Sequence, residues 1–143
     1  MQTVKHLLER KSADVISVKP EDSVLHAIGI MAERHVGALL VMRERELLGV
    51  LSERDYARKV ILKGRASHDT KVSEIMSSPV FTVTPADTVH RCMQIMTDKR
   101  IRHLPVVRDS RVVGVLSIGD LVKAVIDEQR EEIEQLQRYI AGS

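Results

Sequence analysis

The chain has 143 residues, of which 43% are hydrophobic and 29% charged, and its 22 basic and 20 acidic residues leave a net charge of +2. This balance predicts a globular protein without the large positive field that nucleic acid attracts. No apolar run approaches the roughly 20 residues of a membrane span, and a single cysteine excludes an internal disulfide. We therefore expect a cytoplasmic protein that binds neither membrane nor nucleic acid.

The sequence contains an internal repeat. Val15–Ile61 aligns with Val80–Ile126 without a gap at an offset of 65 residues, and 17 of the 47 aligned positions are identical. Chance would give about three identities at average composition. Upstream, Val4–Leu8 aligns with Val72–Met76 at an offset of 68. Two copies of one structural unit are therefore predicted.

Each copy is predicted to begin with a short strand and a helix. Val15–Val18 and Val80–Val83 are β-rich runs that a proline follows two residues later. Asp22 and Asp87 are the predicted N-caps of the helices that follow, in which apolar residues recur at helical spacing.

A hairpin and a second helix complete each copy. The second strands are predicted near Ala38–Met42 and His103–Val107, and polar turns connect them to third strands that contain Gly-Val-Leu. The second helices are expected to start near Glu53 and Ile118. The order β-α-β-β-α is thus predicted twice.

The predicted fold class is α+β, with tandem pseudo-symmetric βαββα repeats and an extended C-terminal helix. The polar segment Lys63–Pro79 connects the copies. Because one small sheet cannot bury both of its faces, the copies are expected to pack together as a single module, residues 1–143. Within it we predict a first repeat at 1–64, a second at 65–127, and a helix extension at 128–143.

The last helix has a short heptad-like pattern. Ile126, Ile133, Leu136 and Ile140 follow this pattern, and the polar Gln129 occupies a position at which the pattern would have an apolar residue. A surface helix that packs on its own domain and a dimer contact both fit this pattern, and both interpretations stay open.

A Ser-x-x-Asp tetrad follows the Gly-Val-Leu strand in both copies, at Ser52–Asp55 and at Ser117–Asp120. One interpretation is a helix capping box, which would explain the serine and the acid without any ligand. The other is a ligand site, because a helix start attracts phosphate and a carboxylate one turn later accepts hydrogen bonds from a ribose diol. The two interpretations are compatible.

The doubled unit with Gly-Val-Leu-Ser-x-x-Asp, together with Arg102–Val106 in the second copy, resembles a cystathionine β-synthase (CBS) domain pair, or Bateman module. The resemblance covers about residues 1–127. It implies an adenine-nucleotide ligand between the copies, with AMP favoured over ADP, ATP, NAD(H) or S-adenosylmethionine. It also implies a homodimer that regulates an effector protein.

The resemblance assigns roles by position. Asp55 and Asp120 would hold ribose hydroxyls, and Ser52 and Ser117 would lie beside phosphate. The first-strand positions that would enclose the adenine are Ile16, Ser17, Phe81 and Thr82. The second-strand positions, whose backbone would read the adenine edge or whose basic side chains would contact phosphate, are Gly37, Ala38, Leu39, Arg102, His103, Leu104 and Pro105.

The two copies differ at these positions. Arg54 aligns with Gly119, and Gly37-Ala38 aligns with Arg102-His103. Positive charge is therefore distributed unequally, and we predict two inequivalent sites of which at least one binds nucleotide.

The sequence fits four function classes to different degrees. A nucleotide sensor acting through a partner is favoured, and a ligand-free scaffold of the same fold is the alternative. A nucleic-acid binder is disfavoured because the chain has only three aromatic residues, Tyr56, Phe81 and Tyr139. No catalytic residue is predicted, because no nucleophile stands beside a base. No metal site is predicted either, because no histidine has metal-ligand spacing.

Overall fold

The computed structural model describes residues 2–11 and 15–142. The described residues form two units, one within Asp14–Phe81 and the other within Met1–Ala13 and Thr82–Ser143. We call them the first-repeat unit and the second-repeat unit. Each contains a hairpin and helices in the predicted order, so the α+β repeat fold is confirmed.

The first-repeat unit is built on a three-stranded sheet. Strand β1 (Ser17–Val18) pairs in parallel with β2 (Ala38–Arg43), and β2 pairs antiparallel with β3 (Glu46–Ser52). Its elements are β1 (Ser17–Val18), α2 (Val24–Arg34), β2 (Ala38–Arg43), β3 (Glu46–Ser52), α3 (Glu53–Tyr56), a π-helical turn (Ala57–Ile61) and α4 (Val72–Ile75).

The second-repeat unit has a two-stranded antiparallel hairpin and ends in a long helix. Its elements are α1 (Val4–Arg10), α5 (Val89–Lys99), β4 (His103–Arg108), β5 (Arg111–Ser117) and α6 (Ile118–Gly142). Helix α6 runs without a break through the predicted extension. No helix within residues 2–11 and 15–142 is long and apolar enough to cross a membrane.

The predicted first strands are shorter than expected. Only Ser17–Val18 forms a strand in the first copy, and in the second copy Val83 makes a single parallel bridge to Val106. The residues missing from the predicted strands lie before each pairing, and the proline two residues after it, which has no N–H to donate, ends the pairing on its C-terminal side. The prediction of strands over Val15–Val18 and Val80–Val83 was therefore too long.

The predicted N-caps were wrong by one residue. Ser23 accepts a hydrogen bond from the His26 backbone N–H, and Thr88 accepts one from Arg91, each at 3.1 Å. The Asp22 carboxylate instead accepts the backbone N–H of Lys19 at 2.9 Å, and Asp87 does the same for Thr84. The aspartates fix the turn that leads into the helix, because a short carboxylate reaches a backbone N–H three residues earlier.

The segments that precede the two copies do not fold with the copy that follows them along the chain. Helix α1 lies in the second-repeat unit, where the Val4 backbone N–H donates to Asp87 O at 2.9 Å. Helix α4 lies in the first-repeat unit, where Val72 N–H donates to Asp22 O at 2.8 Å. The repeats of the sequence and the units in space are thus different divisions of the same chain.

A glycine in each third strand lets these segments approach closely. A Cβ at Gly114 would lie 2.6 Å from Leu8 Cδ2, and one at Gly49 would lie 2.7 Å from Met76 Sδ and 3.0 Å from the backbone oxygen of Ser77. Leu8 and Met76 are the residues that the offset of 68 aligns. The repeated glycine is therefore explained by the close packing of α1 against β5 and of the residues directly after α4 against β3.

Candidate functional site

Hairpin pairing places the start of the second strand beside each Ser-x-x-Asp tetrad. Ala38 pairs with Ser52 in the first-repeat unit, and His103 pairs with Ser117 in the second. The first residue of the helix after the hairpin also bonds to the residue just before the second strand. In the first-repeat unit, the Glu53 backbone N–H donates to Gly37 O at 3.0 Å. The equivalent bond from Ile118 to Arg102 O is 2.8 Å. The predicted second-strand and tetrad residues are therefore brought together within each unit.

Both tetrads form the capping box. Asp55 N–H donates to Ser52 Oγ at 3.1 Å, and Ser52 N–H donates to Asp55 Oδ2 at 3.0 Å. Asp120 N–H donates to Ser117 Oγ at 3.2 Å, and Ser117 N–H donates to Asp120 Oδ2 at 2.8 Å. The capping interpretation is confirmed in both copies, and it fixes the position of each carboxylate.

In the second-repeat unit a lysine neutralises this carboxylate. Lys11 Nζ lies 2.6 Å from Asp120 Oδ2 and donates to the backbone oxygen of Val115 at 2.7 Å. Burial acts to raise the pKa of Asp120, but hydrogen bonds from Lys11 and Ser117 outweigh it and hold this pKa below the usual 3.8. Asp120 is therefore ionised at neutral pH and paired with a cation from the segment that follows α1.

In the first-repeat unit the equivalent carboxylate has different partners. Lys59 Nζ lies 3.2 Å from Asp55 Oδ1, and Ser77 Oγ donates to the same oxygen at 3.2 Å. Lys59 also donates to the backbone oxygen of Ile75 at 2.9 Å. The Asp55 side chain is 13% exposed, against 28% for Asp120. The two carboxylates therefore accept the same backbone hydrogen bond, but the other side chains that contact them differ.

The charges at the start of β4 are also unequal. Burial lowers the pKa of His103 below its usual 6.5, and the Lys11 cation lowers it further against the opposing effect of Asp120. His103 is therefore neutral at pH 7. The exposed Arg102 beside it supplies the permanent positive charge.

The apolar second-strand residues lie partly in the core. Leu39 is 1% exposed and Leu104 is 0% exposed, so their side chains belong to the hydrophobic cores and only their backbone groups are left for a ligand. Pro105 is buried, and its carbonyl accepts the Val83 N–H at 3.1 Å. Because proline has no N–H and this carbonyl is already bound, Pro105 does not fit the backbone role, which for Leu39 and Leu104 stays a prediction.

The first-strand residues vary in exposure. Ile16 packs against the core of the first-repeat unit, and its carbonyl accepts the Leu40 N–H at 3.1 Å. Ser17 is exposed in β1, Phe81 is 40% exposed, and Thr82 is exposed.

The residues that distinguish the tetrads both lie on the surface. Arg54 is exposed on the first turn of α3, and Gly119 is exposed on the first turn of α6. A Cβ at Gly119 would contact only Ser117 Oγ, at 3.6 Å, which is an ordinary van der Waals distance. Nothing steric therefore requires glycine at this position.

Sequence reasoning missed the cations and the hydroxyl that contact the carboxylates. Lys59 follows Asp55 by four residues, a helical spacing for an ion pair that could have indicated it. Lys11 and Ser77 lie in the segments after α1 and α4, and no repeat signal marks them, because the offset of 68 aligns Lys11 with Pro79. Among the described residues no cluster of three or more His, Cys, Asp or Glu is arranged to hold a metal ion.

The duplicated tetrad and its hairpins match a known family. The family model described as "CBS domain" matches the chain twice, over residues 4–62 and 72–127. The chain belongs to the CBS domain family. Each matched range includes the helix that precedes its copy along the chain, α1 or α4. The CBS repeat therefore follows the order of the sequence and differs from the two units that the structure forms in space.

Relatives extend over most of this CBS pair. CBSX3 of Arabidopsis thaliana, a mitochondrial CBS domain-containing protein, is 48% identical over 127 residues, which are 85% of this chain and 62% of the relative. This chain therefore spans less than two thirds of that relative's length. A solved protein with CBS domains from Burkholderia ambifaria MC40-6 is 44% identical, with a TM-score of 0.86, and the match covers 90% of this chain and 96% of that one.

A more distant structure carries ligands. The CBS domain pair of protein MJ0100 was solved in complex with 5′-methylthioadenosine and S-adenosyl-L-methionine. It is 24% identical with a TM-score of 0.79, and the match covers 90% of this chain and 98% of that one. At this identity the likeness establishes the fold.

Proposed function

We propose that this CBS pair is a regulatory module that binds adenine nucleotides, with AMP as the favoured ligand. The observation that carries the proposal is the Ser–Asp pair that each unit holds beside the start of its second strand. An ionised carboxylate in that position can accept two hydrogen bonds from a ribose diol, and the neighbouring strand backbone can hydrogen-bond a base edge. The adenosine-type ligands of the MJ0100 pair, which shares this fold, support the same ligand class.

The contacts of the two carboxylates support an acceptor role. Asp55 accepts from the Ser77 hydroxyl, the kind of donor that a ribose presents, as well as from an ammonium group, and Asp120 accepts from an ammonium group. The phosphate would lie near Ser52 with Arg54 in one unit and near Ser117 with Arg102 in the other. Charge-assisted hydrogen bonds of this kind are about twice as strong as neutral ones.

Regulation would follow from unequal affinity for two conformations. A ligand shifts a conformational equilibrium only as far as it binds one state more tightly than the other. The output would pass to an effector protein or through a homodimer. Location in the cytoplasm stays a prediction.

Replacing either tetrad aspartate with asparagine is expected to weaken AMP binding at its own site by about ten- to a hundredfold, because a hydrogen bond to a charged group is lost. Isothermal titration calorimetry with Asp55→Asn, Asp120→Asn and the double variant measures this. 2′-Deoxy-AMP, which lacks one of the ribose hydroxyls, makes the test more specific. At the altered site, each variant should bind AMP and 2′-deoxy-AMP with similar affinity.

The repeat provides matched controls for these variants. Asp22 and Asp87 are also repeated aspartates that accept a backbone N–H. Asp22→Asn and Asp87→Asn should therefore lower stability alone and leave AMP affinity unchanged. Unchanged affinity in the Asp55→Asn/Asp120→Asn double variant would refute the ribose role.

Exchanging the residues that distinguish the tetrads is expected to change phosphate affinity in opposite directions. Arg54→Gly should weaken binding in the first-repeat unit by about tenfold, and Gly119→Arg should strengthen it in the second by a similar factor. Comparing AMP with adenosine in the same calorimetry isolates the phosphate contribution. Equal effects on both ligands would show that Arg54 does not contact phosphate.

One observation favours a scaffold without ligand. Lys11 already occupies Asp120 Oδ2 at 2.6 Å, so the carboxylate in the second-repeat unit is satisfied by the chain itself. A thermal-shift panel of adenine nucleotides separates the two functions, since a scaffold would show no shift with any of them.

A further inference from the structure

The last helix has an apolar stripe outside the core of its own unit. Leu121 and Ala124, on the first turns of α6, are buried in that core. Other apolar residues follow along a different face of the same helix, where they are exposed. They are Val122 (43%), Ile126 (42%), Ile133 (53%), Leu136 (62%) and Ile140 (71%).

The exposed stripe has the spacing of a coiled-coil seam. Its residues alternate by four and three positions, which is the a and d pattern of a heptad. Position a holds Ile126, Ile133 and Ile140, and position d holds Val122, Gln129 and Leu136. Isoleucine at a with leucine at d favours two parallel strands. The stripe would extend for roughly 28 Å, at about 1.5 Å per residue.

Gln129 distinguishes between orientations of two identical helices. In a parallel pair in register, Gln129 faces Gln129 of the second copy, and the two amides can hydrogen-bond each other. In an antiparallel pair centred on the stripe, Gln129 faces Ile133, and its amide would be buried without a partner. A buried unpaired amide is costly, so the parallel pair is favoured.

The charges beside the stripe favour the same orientation. In a parallel pair, position g faces position e of the next heptad, which places Glu132 near Gln137 and Val125 near Arg130. Neither pairing brings like charges together. The antiparallel pair would place Arg130 against Arg130 and Glu132 against Glu132, both of which repel.

We infer that the exposed stripe of α6 binds the same stripe of a second copy of this chain as a parallel, in-register two-stranded coiled coil. The inference does not depend on nucleotide binding. It gives the homodimer a specific surface and orients both copies in the same direction along α6.

Ile133→Asp in the full chain is expected to raise the dissociation constant of self-association by about a hundredfold or more, because two charges enter the seam. Analytical ultracentrifugation over a concentration series measures this. Gln135→Asp is the matched control, because Gln135 lies on the same helix at position c, outside the seam. Circular dichroism and AMP calorimetry check that both variants keep their fold and their ligand.

Cysteine cross-linking tests the orientation. In a Cys92→Ala background, Gln129→Cys should form an intermolecular disulfide under mild oxidation, because parallel pairing brings the two position-d residues face to face. Gln135→Cys should not. A monomeric chain, a dimer that Ile133→Asp leaves intact, or a dimer in which Gln129→Cys fails to cross-link would each overturn the inference.

Discussion

Leu116→Ala is expected to lower the free energy of unfolding by about 2–5 kcal/mol, because it removes a buried side chain and leaves a cavity. Leu116 on β5 is 0% exposed and belongs to the core cluster that also contains Leu104 and Leu121. Urea denaturation followed by circular dichroism measures the change. The repeat predicts a similar loss for Leu51→Ala, since Leu51 on β3 is also 0% exposed.

A surface leucine provides the control for this measurement. Leu62 is 77% exposed, so Leu62→Ala should change the free energy of unfolding by no more than about 0.5 kcal/mol. If Leu116→Ala cost as little as this control, its place in the core would be wrong. If Leu51→Ala and Leu116→Ala differed widely, the two cores would not be equivalent in energy.

Cys92 is expected to react with a thiol reagent at least about a hundredfold more slowly in the native protein than in denaturant. Burial, with a smaller contribution from the Asp87 carboxylate, raises the pKa of Cys92 from 9.0 to about 11. At about pH 8 the reactive thiolate is then about a hundredfold scarcer, and the 0% exposure of the residue adds to this protection. Stopped-flow or spectrophotometric labelling kinetics give both rates.

A cysteine on the opposite side of the same helix completes this experiment. His90 is exposed on α5, so His90→Cys in a Cys92→Ala background should react at close to the denatured rate. A native Cys92 rate within about tenfold of the denatured one would contradict its burial. A bound nucleotide that stabilises the second-repeat unit would slow Cys92 labelling further, which links this measurement to ligand binding.

Much of the fold could be predicted because the same pattern of strands and helices appears twice in the sequence. The constant offset between the copies fixed where the hairpins and second helices begin, and helices do start at Glu53 and Ile118. The error at the N-caps came from competition between two neighbouring side chains for the same role. At the N-caps, an aspartate and a hydroxyl residue are adjacent, and the hydroxyl residue takes the cap while Asp22 or Asp87 holds the preceding turn.

The candidate site was predictable in its repeated part only. The Ser–Asp pairs and the strand starts beside them follow from pairing within a single copy. Lys11 could not be placed, because it reaches Asp120 from 109 residues away along the chain. Contacts between distant segments leave no periodic trace in a single sequence, so the contributions of Lys11 and Ser77 to the inequivalence of the two carboxylates became visible only in three dimensions.

The position of α1 has a consequence for how the two units can be formed. The described part of the first-repeat unit is one continuous stretch of chain, so a ribosome can complete it before the rest of the chain emerges. The second-repeat unit needs a helix from the beginning of the chain and a hairpin from near its end. A cut between Gly64 and Arg65 would therefore separate α4 from the first-repeat unit and α1 from the second, whereas a shortened chain that joins α1 directly to Thr82 would contain every helix of the second-repeat unit.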